Sequence, residues 1–541
     1  MPFNSYGFIF VFLPVVVSGF WLLARAFGRD AAGFWLIVAS ITFYVLAGLT
    51  GFVVLVPSIL FDYLIAISFL RLPETSVRFR TVLFTTGVVA NVCFLAYFKY
   101  KNFFLGTVYS LFDIHAQLAT VVLPLGVSFL TFQKIAFLAD IRSGEIQQVR
   151  VLDYLLFTTF FPRSIAGPIT RYNEIVPQLE GIPTRDLTAQ LSVGIALFSI
   201  GLFKKAFIAD QLAAYVTPVF DLGPVTVWDP GTPTLFTSWA AVLAYTFELY
   251  FDFSGYSDMA LGAARMFGIK LPMNFNSPYR ATNIIEFWSC WHITLTRFLT
   301  SYIYTPLVLS ITRARLARGK TTLKGVHSSV SAIASSVAVP TLTTMLISGF
   351  WHGAGWQFVV WGLMHGIYLT VNQTWRILRP RFWRDSASYS LIMKPLGGVF
   401  TFSAVVVALV FFRADSVSAA LSILNDMLGG NGLVPNDIMV LRQVGVEVPN
   451  SIVRVFLPLA PWIWVSCLLV WVTLLPNSLE LLRTQHPALD YSEGATELPS
   501  WLRFARRYDV LNPVTAVVMA LICLLGVLML NRGQTFIYWN F

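Results

Sequence analysis

ISGFWHGAGWQFVVWGLMHGIY, Ile347 to Tyr368, is an apolar stretch punctuated by glycine, with His352 set between Trp351 and Gly353. Apolar runs flank it on both sides, so it reads as part of a membrane-embedded bundle rather than a soluble core. An imidazole in that setting costs free energy unless it is partnered, which makes an intramembrane ionisable residue a functional candidate. The alternative is a satisfied histidine that only packs. Gly349 and Gly353, spaced as small-x-x-x-small, would let a neighbouring helix come close to His352.

Composition extends this reading to the whole chain. Of 541 residues, 56% are hydrophobic and 15% aromatic, and only 12% are charged, against roughly 25% charged in soluble domains. Mean hydropathy is +0.70, and no long polar block interrupts the apolar runs. Runs of nearly the ~20 residues that cross a bilayer occur at 6–27, 31–48, 51–70, 82–98, 118–139, 188–209, 235–251, 329–350, 355–375, 394–412, 456–475 and 512–530. The expected fold is an all-α polytopic membrane protein with about 11 to 13 transmembrane helices, forming one membrane domain over residues 1–541. Stretches at 151–168, 256–269 and 284–310 read as re-entrant or interfacial pieces, because irregular backbone survives at membrane depth only where protein or water covers it. The run Tyr6 to Phe27 lacks a basic lead and a small-residue cleavage site, so it reads as a retained helix.

Cys93, Cys290, Cys467 and Cys523 are scattered, which argues against a disulfide framework and a zinc site. The net charge of +10 fits cytoplasmic loops facing anionic lipid, and no nucleic-acid partner is expected. Three basic loops fall on one side: Arg71, Arg78 and Arg80; Arg313, Arg315, Arg318, Lys320 and Lys324; and Arg376, Arg379, Arg381 and Arg384. By the positive-inside rule that side is cytoplasmic and both termini lie outside, with Lys99 and Lys101 landing on the other side.

A second histidine lies in IIEFWSCWHITLTRFL, Ile284 to Leu299. At about 100° per residue, Trp288, His292 and Thr296 share one helical face. A Trp-rich interfacial belt with an incidental histidine is the competing reading. His365 follows His352 by thirteen residues, about 220° around a regular helix, so it is expected to be a bystander. In ELYFDFSGYSDM, Glu248 to Met259, the acids Glu248, Asp252 and Asp258 either line a polar cavity or end a helix at a Ser254-Gly255-Tyr256 turn with the acids in water. Their spacing gives no metal-binding signal. NFNSPY, Asn274 to Tyr279, and FPRSIAGPI, Phe161 to Ile169, are turn-rich segments between apolar runs.

These motifs together resemble the membrane-bound O-acyltransferases, of the bacterial alginate O-acetyltransferase type. The resemblance rests on LPLGVSFLTFQKIAFLAD (Leu123 to Asp140), FFPRSIAGPITRY (Phe160 to Tyr172), YFDFSGYSDMALG (Tyr250 to Gly262), NFNSPYRA (Asn274 to Ala281), FWSCWHITLTRFL (Phe287 to Leu299), SGFWHGAGWQFVVWG (Ser348 to Gly362) and the closing FIYWNF. It implies that His352 is the catalytic histidine and His292 a second essential one, with Trp351, Trp288, Trp291, Thr296, Asp252 and Asn276 expected along the substrate path. It also implies a bacterial inner-membrane enzyme with no tightly bound cofactor. The donor would be a cytoplasmic thioester such as acetyl-CoA, the acceptor an exported polysaccharide, and the partner a periplasmic acetyltransferase or export component. Ser289, Cys290 and the segment Thr300 to Leu309 depart from the family pattern. D-alanyl transfer to a cell-envelope polymer, a proton-coupled transporter and a scaffold of an export complex are the alternatives. A plain span count sets His352 at an outer turn; a half-helix broken at Pro340, ending inside the bilayer, would instead place it at depth.

Overall fold

The computed structural model describes residues 2–115, 118–119, 121, 123–124, 126–164, 166–182, 185–221, 233–433, 459–489, 491, 512–530 and 536–537. Part of the 118–139 run, the start of the 456–475 run, Ile165 and most of the closing FIYWNF motif lie outside these residues. Among the described residues every regular element is helical and there is no strand. The helices used below are α1 (Arg29–Arg71), α2 (Val77–Leu95), α3 (Val127–Ser143), α4 (Leu187–Phe203), α5 (Leu235–Met266), α6 (Ile284–Cys290), α7 (Ile293–Leu299), α8 (Val339–His352), α9 (Trp356–Phe382), α10 (Ser386–Arg413) and α11 (Pro513–Leu528).

Among the described residues, six helical segments are long and apolar enough to cross a membrane: Phe8–Phe27, Arg29–Arg71, Val77–Leu111, Leu187–Phe220, Val330–His352 and Ser386–Arg413. Three shorter apolar helices, Val417–Met427, Ala460–Leu474 and Pro513–Leu528, accompany them. α1 is interrupted by non-helical backbone at Gly48, which divides it into the two expected runs, 31–48 and 51–70. Other expected runs are helical but carry polar groups into the interior, as α5 does with its acids. Of the two readings of these acids, the helix end at Ser254-Gly255-Tyr256 is not formed, because α5 runs unbroken through it. Residues 256–269 are therefore mostly the buried end of a long helix and not a separate re-entrant piece. Its acids do not face water: Glu248, Asp252 and Asp258 are all buried.

Lys99 and Lys101 lie inside the helical segment Val77–Leu111, as do Arg78 and Arg80 of the first basic group.

The chain divides into two compact units. The first comprises Met1–Ala206, Phe253–Asn274 and Ser478–Phe541, and the second Phe207–Asp252 and Phe275–Asn477. In the first unit, α4 and the second half of α5 touch backbone to backbone at two places. A Cβ on Gly194 would stand 2.8 Å from the Gly262 carbonyl oxygen, and one on Gly201 would stand 2.5 Å from that of Gly255. Small residues are what permit such contact, since dispersion rather than a hydrophobic drive holds helices together in lipid. Just beyond α4, Lys204 pairs with Asp258 at 2.6 Å and donates to Ser478 at 3.2 Å. A second buried pair joins α3 to α1, Lys134 to Asp62 at 3.0 Å. Asn91 of α2 donates to the same carboxylate at 2.7 Å, and Lys134 also donates to Ser58. Three helices thus share one charge network, and the ion pair keeps hydrogen-bond partners where water is excluded.

The second unit holds both histidine motifs. The helical segment Val330–His352 is 23 residues long, so the expected half-helix broken at Pro340 is not formed. A wider turn over Ala334–Ala338 leads into α8, and Pro340, whose missing N–H removes one intrahelical bond, follows it directly. α8 ends at His352 because Gly353, Ala354 and Gly355 leave helical geometry, and α9 starts at Trp356. α8 and α9 then pack as an antiparallel hairpin. A Cβ on Gly349 would stand 2.4 Å from the Phe358 carbonyl oxygen, and one on Gly362 would stand 2.5 Å from that of Met345. Gly349 thus meets Gly362 across the hairpin, and Gly353 leaves room for the Phe358 ring, 2.0 Å from where its Cβ would stand.

Candidate active site

His352, the last residue of α8, is 3% exposed. Its imidazole is boxed by the rings of Trp351 at 4.8 Å, Trp361 of α9 at 4.9 Å and Phe412 of α10 at 5.1 Å, all steeply inclined to it. Edge-to-face packing of this kind fixes a ring through its quadrupole as well as its shape. His292 sits across Trp351, its ring centroid 6.2 Å from that indole, and is fully buried. One tryptophan therefore separates the two histidines, which are sixty positions apart in sequence.

The single face expected for Trp288, His292 and Thr296 does not exist, because the helix breaks between α6 and α7. His292 occupies the break in left-handed backbone, φ 43° and ψ 53°, a conformation uncommon outside glycine that asparagine, aspartate and histidine adopt more often than other residues. The break turns His292 toward Trp351. Thr296 folds back on it, its amide donating to the His292 carbonyl at 3.0 Å and its hydroxyl to the Trp291 carbonyl at 3.5 Å. Trp291 points elsewhere, into a cluster with Phe275 at 5.1 Å, Phe287 at 5.6 Å, Tyr279 at 6.1 Å and Tyr250 at 6.3 Å. Asn276 acts as a brace: its amide donates to the Cys290 carbonyl at 3.0 Å and its side-chain oxygen accepts from Asn477 at 3.1 Å. These bonds hold the NFNSPY turn against the end of α6. Asp252 is wholly buried on α5.

The family model described as MBOAT, membrane-bound O-acyltransferase family, matches residues 80–323, which include His292. The chain is 37% identical over 461 residues to a peptidoglycan O-acetyltransferase of Helicobacter pylori, covering 80% of each chain. It belongs to the membrane-bound O-acyltransferase family. Another relative of this O-acyltransferase is a probable alginate O-acetylase of Azotobacter vinelandii, 35% identical over 78% of this chain and 76% of that one. A teichoic acid D-alanyltransferase of Streptococcus thermophilus is 28% identical over 53% of this chain and 68% of the relative.

The helical phase that set His365 apart from His352 in this acyltransferase does not hold. The phase count from His352 assumed one regular helix, whereas the Gly353–Gly355 break puts the two histidines on different helices. Trp361 lies between them, 4.9 Å from each ring. Trp288 donates its indole N–H to His365 Nδ1 at 3.3 Å, and Trp288 also packs on Trp361 at 5.9 Å. The sequence did carry a signal: in WGLMHG, Trp361 and His365 are four apart and share a face.

Burial pushes the His292 imidazole down to about 3, because charging it would strip an ion of its water. It therefore stays neutral at physiological pH, able to donate one hydrogen bond and accept one.

α6 also has an outer face. There Thr282, Asn283, Glu286 and Ser289 line an open cleft of about 610 Å³ together with Asn372, Trp375, Arg376 and Arg379 of α9 and Tyr389 and Lys394 of α10. Glu286 is taken up locally, accepting from the Thr282 amide and hydroxyl at 2.8 Å each. Arg379 lies over the Tyr389 ring at 4.8 Å, and Trp375 donates to the Tyr389 hydroxyl at 2.8 Å. The cleft thus offers cations and flat rings, a surface suited to phosphate and an aromatic base. From His365 to Arg376 α9 rises about 16 Å.

Proposed function

We propose that this O-acyltransferase O-acetylates an exported or cell-surface polysaccharide of a bacterial envelope, working in the inner membrane. The observation that carries this reading is the pairing of His352 and His292 across Trp351, both imidazoles buried. The names of the relatives, acetyltransferases of peptidoglycan and alginate, support the acetyl group and the glycan acceptor. His352 takes the proton of an acceptor hydroxyl as its oxygen attacks an acyl thioester. His292, neutral and able to donate one hydrogen bond, is given the orienting role, and the resemblance of the Trp351-His352-Gly353 motif to the family's catalytic one supports giving His352 the base.

The basic cleft at α6, α9 and α10 supports a donor carried on an anionic, phosphate-bearing thiol such as coenzyme A, entering from the side that the Arg-rich loops mark as cytoplasmic. Polysaccharide-export proteins or a periplasmic acetyltransferase are the partners this route calls for. D-alanyl transfer is the second reading, favoured by the similarity to a teichoic acid D-alanyltransferase.

The test is the ester content of the envelope glycan in cells carrying the wild type, His352→Ala or His292→Ala at equal membrane levels. Loss of O-acetyl in both variants is expected. Full acetylation in both sinks the reading, and loss of ester-linked D-alanine in place of acetyl selects the second one.

A further inference from the structure

Trp361 is 3% exposed, yet its indole N–H has no hydrogen-bond partner among the described residues. Several other tryptophans use theirs, among them Trp21 on the Met266 carbonyl at 2.8 Å, Trp35 on the Val16 carbonyl at 3.0 Å, Trp239 on the Met427 carbonyl at 3.0 Å and Trp288 on His365, whereas the Trp462 N–H, away from the histidines, shares the condition of Trp361. A buried donor left unsatisfied costs about 1–3 kcal/mol, and each such group in a folded protein calls for an explanation. The Trp361 ring stands 4.9 Å from His352 and at 83° to it. A second orphan lies on the same helix as His352. Ser348 is fully buried, its hydroxyl has no partner among the described residues, and it sits one turn before His352 on the same face of α8.

We infer that the Trp361 indole N–H, assisted by the Ser348 hydroxyl, is the hydrogen-bond donor to the acyl carbonyl oxygen during transfer. The inference rests on the proposed acyl transfer with His352 as base. The acceptor hydroxyl oxygen bonds to the carbonyl carbon of an acyl thioester as its proton passes to His352. The carbonyl electron pair moves onto oxygen, where Trp361 and Ser348 donate to the anion. Collapse reforms the carbonyl and breaks the carbon–sulfur bond, and the thiolate leaves with the proton from His352. The products are an O-acyl ester and a free thiol. Donors set in place before charge develops act strongly in a buried site, and neither has an acceptor among the described residues to give up.

The test removes the N–H and keeps the ring. The isosteric residue 3-benzothienylalanine, introduced at position 361, is compared with Trp361→Phe, Ser348→Ala, His352→Ala and the wild type. The readout is the initial rate of O-acyl incorporation into envelope glycan per molecule of enzyme in the membrane. Both changes at 361 should slow the rate about 10²- to 10³-fold, the range for loss of one oxyanion donor. Ser348→Ala should give a smaller loss. A benzothienylalanine enzyme within threefold of wild type, with His352→Ala inactive, overturns the inference and leaves the base assignment standing. An active His352→Ala overturns both. Because the isostere keeps the packing of Trp361 against His352, Phe412 and His365, a merely structural tryptophan would tolerate it.

Discussion

Gly349→Ala tests whether the closeness of α8 and α9 places the active-site rings. The new methyl would stand 2.4 Å from the Phe358 carbonyl oxygen and 3.2 Å from the Gly362 Cα. Both neighbours are backbone, so no side chain can rotate away. Ordinary contact begins near 3.4 Å, so the hairpin must open by about 1 Å at this level, and such overpacking costs about 1–3 kcal/mol. His352 lies three residues beyond Gly349 and Trp361 one residue before Gly362, so the opening separates the His352 and Trp361 rings directly. A misplacement of about 1 Å at reacting groups costs on the order of 10²-fold in rate. The expected result is acylation of the envelope glycan slowed about a hundredfold, with the protein still present in the membrane. Gly33→Ala is the control: its nearest neighbour would be a Leu152 side-chain carbon at 3.6 Å, and in a helix the change should be neutral or stabilising by up to about 1 kcal/mol. A Gly349→Ala enzyme of wild-type rate would refute the claim that this contact sets the geometry of the site.

Two further outcomes follow from buried charge. Lys134→Met leaves the fully buried Asp62 carboxylate without its cation and should cost about 3–5 kcal/mol, read as a lower unfolding midpoint in detergent, whereas Lys134→Met with Asp62→Leu should regain most of the loss; equal midpoints for the single and double variants would contradict the pairing. For His292, burial lowers the folded pKa to about 3, while the unfolded imidazole titrates near 6.5. Between those values the unfolded chain binds a proton that the folded one refuses, so stability falls with falling pH by about 1.4 kcal/mol per unit for this group. His292→Gln should show a shallower loss of stability over that window than the wild type, and parallel curves would show that His292 is protonated in the folded protein.

How much of this was legible in sequence differs from residue to residue. Membrane character and helical class follow from hydropathy, which sums over many residues and tolerates local error. His352 and His292 stood out because ionisable groups are rare in apolar surroundings. The face shared by Trp288, His292 and Thr296 was misread because phase arithmetic presumes unbroken helix, and a single left-handed residue voids it. The same presumption dismissed His365 across the Gly353–Gly355 break. The acids of α5 looked like a helix end because Ser-Gly-Tyr resembles a turn, yet Gly255 is there to meet the Gly201 backbone. Long-range contacts of that sort leave no mark in a local window, which is also why the Gly349–Gly362 pair and the unsatisfied Trp361 donor emerge only in three dimensions.

The two glycine contacts between α4 and α5 bear on what the first unit can do while it works. Gly194 and Gly201 are seven residues apart, as are Gly255 and Gly262, so both contacts close in one register. Sliding α5 by a turn, about 5.4 Å, would bring Met259 and Met266 to where Gly255 and Gly262 now sit, and neither side chain fits between touching backbones. The pair behaves as a keyed shaft: it can tilt or travel as one piece, but neither helix can piston past the other, and the Lys204–Asp258 bond is carried along unbroken.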